Sequence, residues 1–275
     1  TSARVLEVSA FSGLSIASDL TLTSAPTSTG GGIDKSGAGT LELTNAGPNN
    51  PGNLRVAEGA AVFQTAGQTV NLGGLQLSGG TSVDITDATV NSTGDVNVAD
   101  SAGTSTLTLS GNTVFNTSNR TMTGMNGGGA TGNIMISGNA QYNQNGGWLS
   151  MGQSDGGFGT LTVMDSGSWT QAGSDFNISD LANSTGTLNL QDNGTITHNG
   201  NAFWGKGDGA QATINISGGT YTATGETRTA DAANSTATVN QTGGTVNMNG
   251  GYNPIARDGT AVYNISAGEL NWNGW

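Results

Sequence analysis

The sequence predicts an all-β chain folded as a parallel β-helix, a β-solenoid of roughly ten coils, and three observations carry that prediction. Short triplets in which apolar residues flank a polar one recur through the C-terminal two-thirds: Leu107-Thr-Leu109, Ile134-Met-Ile136, Leu161-Thr-Val163, Leu188-Asn-Leu190, Ile214-Asn-Ile216, Val239-Asn-Gln241 and Tyr263-Asn-Ile265. Their last residues stand 27, 27, 27, 26, 25 and 24 positions apart. Most triplets run into a turn of Ser, Gly, Asn or Asp, which bend the chain without a regular partner. A period of this size marks units that cannot bury an apolar face alone and must stack on their neighbours. Alternation with Thr and Asn makes those units strands. Stacked in register about 4.8 Å apart, the coils give a rod on the order of 50 Å. The steady shortening of the step predicts a shaft that tapers toward the C-terminus.

The chain reads as one domain in three stretches: 1–33, 34–97 and 98–275. The first holds the most apolar segment, with Val5, Leu6, Val8, Phe11, Leu14, Ile16, Leu20 and Leu22, then a small polar run. It reads either as a first coil with a cap, which shields an edge strand from unwanted pairing, or as an arm that adds a strand to a neighbouring subunit. In 34–97 the triplets Leu41-Glu-Leu43, Leu54-Arg-Val56, Leu75-Gln-Leu77 and Val83-Asp-Ile85 do not share one ladder, and Pro48 and Pro51 interrupt them. Proline has no N–H for a central ladder, so irregular coils are expected here. The stretch 98–275 holds the regular coils, and its anchors from Leu109 to Ile265 are expected to form one interior row. Gln241 is the odd member, which needs a hydrogen-bond partner inside.

A second phrase precedes several anchors by about 10 to 12 residues: Val96-Asn-Val98, Phe176-Asn-Ile178, Thr227-Arg-Thr229 and the segment from Pro254. Together with Gly159-Thr-Leu-Thr-Val163, Gly186-Thr-Leu-Asn-Leu190 and Ser217-Gly-Gly-Thr-Tyr221, it resembles the autotransporter-associated repeats of bacterial surface proteins and autotransporter passengers. The resemblance covers about two-thirds of the chain. It implies secretion, a parallel β-helix and a role in adhesion or surface structure. A start at Thr1 rather than Met points to a removed secretion signal. No translocator barrel or sorting segment follows, so the expectation is a processed passenger or a subunit secreted on its own.

Composition bounds the alternatives. The 275 residues include 47 Gly, no Cys and 9% charged residues, and the net charge is −12. Disorder would not hold Leu, Ile and Val in one phase through seven repeats. The two Lys and five Arg are scattered in sequence, which argues against nucleic acid as a partner, because that needs clustered cations. No apolar run is long enough for a membrane-spanning helix.

Few residues suggest chemistry. His198 is the one histidine; without Cys or a second His it makes no usual zinc site, and it is expected at the surface beside a turn. Asp100, Asp155, Asp180, Asp208, Asp231 and Asp258 each precede their anchor by a similar interval, a spacing that places them at one corner of the coil. Such a row is either a set of turn residues bonded to local backbone or a ladder for calcium. The five Trp, at 148, 169, 204, 272 and 275, suit sugar stacking, coil interiors or a subunit contact. The leading reading is a secreted, non-enzymatic structural or adhesive solenoid without a cofactor, one that polymerises head to tail. Its joint would use Val5, Leu6, Val8, Phe11, Leu14 and Ile16 of one subunit against Leu270, Trp272 and Trp275 of the next. The alternative is a carbohydrate-binding or polysaccharide-cleaving β-helix, with surface glycans as partners. A groove with two carboxylates, a nearby Lys or Arg and an exposed Trp is the feature that favours it.

Overall fold

The computed structural model describes residues 7–8, 11–45 and 47–273. Among them lie 29 strands and no helix. Three strands make one coil, and each pairs in parallel with its equivalents in the coils before and after. The first ladder carries the triplets, with its inward residue running Leu22, Leu43, Phe63, Ile85, Leu109, Ile136, Val163, Leu190, Ile216, Gln241 and Ile265. The third ladder carries the second phrase, through Leu14, Lys35, Val56, Leu77, Val98, Thr123, Met151, Ile178, Trp204 and Thr229. Between them runs a second ladder, through Asn49, Val70, Val90, Phe115, Tyr142, Trp169, Ile196, Tyr221, Val246 and Leu270. The triplet pattern missed it. Its signal is nevertheless in the sequence, as an apolar residue six positions after the anchor at 115, 142, 169 and 196 and five after it at 221, 246 and 270.

The triplets of 34–97 do not share one ladder, as expected, but each ladder they join is continuous. Leu43 and Ile85 stand on the first, Val56 and Leu77 on the third. Pro48 opens a strand, Pro48–Val56, and Pro51 falls inside a register shift between Asn49 and Gly52. Those are positions where a missing N–H breaks no ladder bond. Along the first ladder the step from one inward residue to the next is 21 from Leu22 to Leu43, 20 from Leu43 to Phe63, 22 from Phe63 to Ile85 and 24 from Ile85 to Leu109. It then reaches 27 and falls back to 24 at Ile265. The coils do shorten toward the C-terminus, but those at the N-terminus are shorter still. The longest coils are in the middle.

The interior row is as expected from Leu109 to Ile216, all buried. Gln241 is buried too, and its amide donates to the carbonyls of Glu269 at 2.9 Å and Gly244 at 3.3 Å. Ile265 departs from the expectation: it keeps register but is 47% exposed, because it stands on the last rung of the ladder. The second ladder holds Val70 and Val90 in short coils and Phe115, Tyr142 and Trp169 in long ones, where the rings stack with centroids 4.9 and 4.1 Å apart. Interiors pack to the density of organic crystals, and the stacked rings fill these coils. Where the third ladder turns into the first, space closes instead. A Cβ at Gly159 would lie 2.2 Å from Thr123 Oγ1 and 2.8 Å from Met151 Cβ. That crowding is the cause of the Gly in Gly159-Thr-Leu-Thr-Val163.

Outside, amides tie coil to coil. Asn71, Asn91, Asn116 and Asn143 each donate to the Asn one coil earlier at 2.8–3.0 Å. A similar row through Asn189, Asn215, Asn240 and Asn264 runs along the first ladder.

Candidate functional site

The outward surface of the third ladder forms a trough. Its floor is the residue just before the inward one on each strand of this ladder: Asp34, Arg55, Gln76, Asn97, Met122, Ser150, Asn177, Phe203 and Arg228. One rim is the residue before each strand, Asp95, Arg120, Trp148, Asp175, Asn201 and Glu226, joined coil to coil through their carbonyls. The other rim forms after a left-handed residue that follows the strand in six consecutive coils: Ala99, Gly124, Gly152, Ser179, Gly205 and Ala230, with φ between 46° and 83°. Alanine and serine adopt this conformation at a cost of roughly 1 kcal/mol or more. The turn folds the next residue back over the floor. Asp100 thereby accepts from Gln76, and Asp180 accepts from the Ser150 hydroxyl at 2.6 Å.

The floor is deepest at Met122, Ser150 and Asn177, all buried. Lys206, on the second rim, reaches Asp180 at 3.1 Å and crosses to Asp175 at 3.7 Å. Its ammonium also lies 4.9 Å from the Phe203 ring. On the first rim Arg120 pairs with Asp95 and lies 5.2 Å from the Trp148 ring. The hydrogen bonds Arg120 donates to Asp95 raise its pKa further above the usual guanidinium range. Trp148, Gln153, Asp175, Asn177, Asp180, Leu181 and Lys206 enclose a depression of about 320 Å³. A second depression, of about 270 Å³, lies on the same line and includes Arg55, Gln76, Asp95 and Asn97.

Cations scattered in sequence are therefore gathered in space. Arg55, Arg120, Lys206, Arg228 and Arg257 all border this face, and each has a carboxylate partner. Lys35 instead faces inward, fully buried, and donates to the carbonyls of Gly37 and Glu58 at 2.6 Å each.

All six aspartates lie in the one corner between the third and first ladders, as expected, but they do not form one row. Asp100, Asp180 and Asp231 belong to the trough rim, while Asp155 and Asp208 lie farther out and accept from Asn183 at 2.9 Å and Asn234 at 3.1 Å. Asp258 faces Arg257 at 3.7 Å. Along the rim the acids at 180 and 231 alternate with Lys206 and Arg257. Neighbouring coils thus present amides or cations where a calcium ladder needs carboxylates. Among the described residues no three His, Cys, Asp or Glu side chains group to hold a metal.

His198 is not at the surface. It is fully buried on the second ladder, and Gly200 O, 3.1 Å from Nδ1, accepts only, which places the proton on Nδ1. Nε2 then accepts from the Tyr221 hydroxyl at 2.7 Å. The tryptophans divide three ways: Trp169 and Trp204 fill the interior, Trp148 is 36% exposed in the trough, and Trp272 is half-buried on the last rung.

The described members of the proposed joint lie at the two ends. Val8 and Phe11 are strand residues paired with Ser28 and Gly32 of their own next coil. The described part of the N-terminal segment is thus a first coil of its own solenoid, not an arm extended to a neighbour. Leu14 is half-buried and Ile16 buried there, and Leu270 and Trp272 are half-buried at the other end. Val5, Leu6 and Trp275 lie outside the described residues. No family model, curated protein or solved structure matches the chain.

Proposed function

We propose that the chain is a secreted structural and adhesive β-solenoid of a bacterial surface or extracellular matrix, non-catalytic, whose copies stack head to tail into filaments. Secretion and setting rest on the resemblance of the repeats to autotransporter-associated repeats. Stacking rests on the last rung. Thr260–Trp272 pairs with Thr236–Met248 along one edge, and no described strand pairs with its other edge. Val262 and Ile265 are each 47% exposed, and Tyr263, Leu270 and Trp272 are half-buried. At the opposite end Leu14, Leu20 and Leu22 are half-buried as well. An unpaired edge is a template for another strand, and unlike ends make a contact that propagates into a filament.

The trough supports adhesion rather than cleavage. Glycoside hydrolysis sets one protonated carboxyl against one ionised carboxylate. Here one ammonium pairs with both Asp175 and Asp180. Fully paired cations give nucleic acid nothing to bind.

Continuing the first ladder from one copy into the next sets Thr21 beside Asn264 and Leu22 beside Ile265. Parallel neighbours about 4.8 Å apart lie within disulfide range, and the chain has no Cys to interfere. The double variant Thr21→Cys/Asn264→Cys is expected to give a ladder of covalent oligomers on a non-reducing gel and filaments by negative-stain microscopy. A monodisperse monomer at high concentration, with no cross-link on oxidation, overturns the stacking.

A further inference from the structure

We infer that the trough around Trp148, Asn177 and Lys206 binds a neutral oligosaccharide laid along the solenoid axis. The inference deepens the adhesive reading and rests on its account of the trough as a binding surface; end-to-end stacking is independent of it.

Four observations select the ligand. Trp148 is 36% exposed, and Arg120 lies over its ring. Arg120 does not border the 320 Å³ depression whereas Trp148 does, so the ring offers that depression an apolar platform suited to the C–H face of a pyranose. Asn177 is 1% exposed, and its Oδ1 has no partner in the protein. A buried acceptor left unpaired costs about 1–3 kcal/mol, which a hydroxyl donor recovers. Gln153 Oε1, on the rim beside it, is buried and unpaired as well. With Asp175 and Asp180 the wall is rich in acceptors, which matches a ligand that presents many O–H donors.

Charge then excludes other polymers. Each cation of the trough is already matched to a carboxylate at 3.7 Å or less, and the protein carries −12 overall. A uronic-acid chain would bring negative charge to a wall holding Asp175 and Asp180. An extended peptide finds no free strand edge on the floor, because the strands of Ser150 and Asn177 are paired on both sides.

Geometry sets the ligand's length. The rungs repeat every 4.8 Å or so, close to the length of one pyranose unit, so an extended chain meets equivalent floor positions sugar by sugar. From Asn177 the floor runs through Ser150 and Met122 to Asn97, three rungs or roughly 14 Å away. There Asn97 offers another buried, unpaired amide oxygen inside the second depression. Arg120 stands between the two depressions on one rim, and a hexasaccharide is long enough to span both.

The test begins with an array of neutral, N-acetylated, amino and uronic-acid oligosaccharides, followed by calorimetry on the tightest neutral hexasaccharide and its trimer. At least one neutral or N-acetylated hexasaccharide is expected to bind, with uronic-acid chains silent. Trp148→Ala is expected to weaken it about tenfold or more, a loss of about 1.4 kcal/mol, and Lys206→Met to weaken it less. Gln76→Ala, in the second depression, should weaken the hexamer but not the trimer. Phe158→Ala, exposed and outside both depressions, should change nothing. Circular dichroism checks that each variant is folded. The inference is overturned if no neutral or N-acetylated glycan binds at up to about 10 mM, if uronic-acid chains bind best, or if a folded Trp148→Ala and a folded Lys206→Met both bind as the parent does. Sedimentation of the same samples reads stacking separately, so loss of glycan binding with filaments intact fails this inference alone.

Discussion

The middle coils and the end coils obey one register but differ in what they enclose and what they display. From Leu109 through Ile136 and Val163 to Leu190 the numbering advances by 27 per coil, whereas from Leu22 through Leu43 to Phe63 it advances by 21 and then 20. Much of the added length lies in one corner. The third and first ladders are separated by seven residues from Val56 to Phe63 and eight from Leu77 to Ile85, but by 13 from Thr123 to Ile136 and 12 from Met151 to Val163. That corner carries the left-handed turn and the rim residues Gln153, Asp180 and Lys206. Lengthening it builds the trough outside, and the same coils take aromatic rings inside. The ends instead present open edges. A solenoid can therefore divide labour along its axis without changing its ladders, because each coil interacts only with its neighbours.

The sharpest way to break this contrast is to empty a middle coil. Trp169 is fully buried and stacked on Tyr142 at an interplanar angle of 4°. Trp169→Ala is expected to destabilise by about 4 kcal/mol. The equivalent change at the end, Leu270→Ala, removes a half-buried side chain and should cost about 1 kcal/mol. Guanidinium denaturation compares the two, and equal losses would mean that coil width does not govern the packing.

Acid probes the same middle region. Burial pushes the His198 pKa down to about 4, against roughly 6.5 in an unfolded chain. At pH 7 and above the imidazole is neutral in both states. As pH falls below about 6.5 the unfolded chain takes up the proton first, so stability declines until about pH 4, where the folded state protonates and the loss levels off at roughly 3 kcal/mol. Gln144 and Gln171 occupy the same row, and the Gln171 amide donates to the carbonyls of Gly173 and Asp175. His198→Gln should therefore fold and lose that part of the pH dependence, as read by denaturation at pH 4.5 and 7.5.

The smallest effect sharpens the comparison from outside. Asn215 donates to Asn189 at 2.9 Å and accepts from Asn240 at 3.0 Å. Asn215→Ala should cost about 1 kcal/mol. Hydrogen exchange should show the loss concentrated in the coils C-terminal to Asn215, toward the open end.

What the sequence by itself determined was the stacking axis. A strand must repeat its inward residue for the next coil to cover it, so Leu109, Ile136, Val163, Leu190 and Ile216 announce one row with its period. The second phrase likewise marked the third ladder. The second ladder was legible at its offset of five or six residues, but mixed types such as Phe115, Tyr142, Ile196 and Val246 hid it from a search for repeated words.

Only the tertiary structure decided the trough and the fate of the isolated polar residues. Arg120, Trp148, Asp175 and Lys206 share no motif and lie far apart in the chain. They converge because one residue before and two after each short strand fall on the two rims, and the left-handed corner turns the second of these inward. The same holds for His198, whose neighbours in sequence are polar turn residues that suggest solvent. Its side chain points inward because the strand phase, set by Ile196 two positions earlier, leaves it no other face.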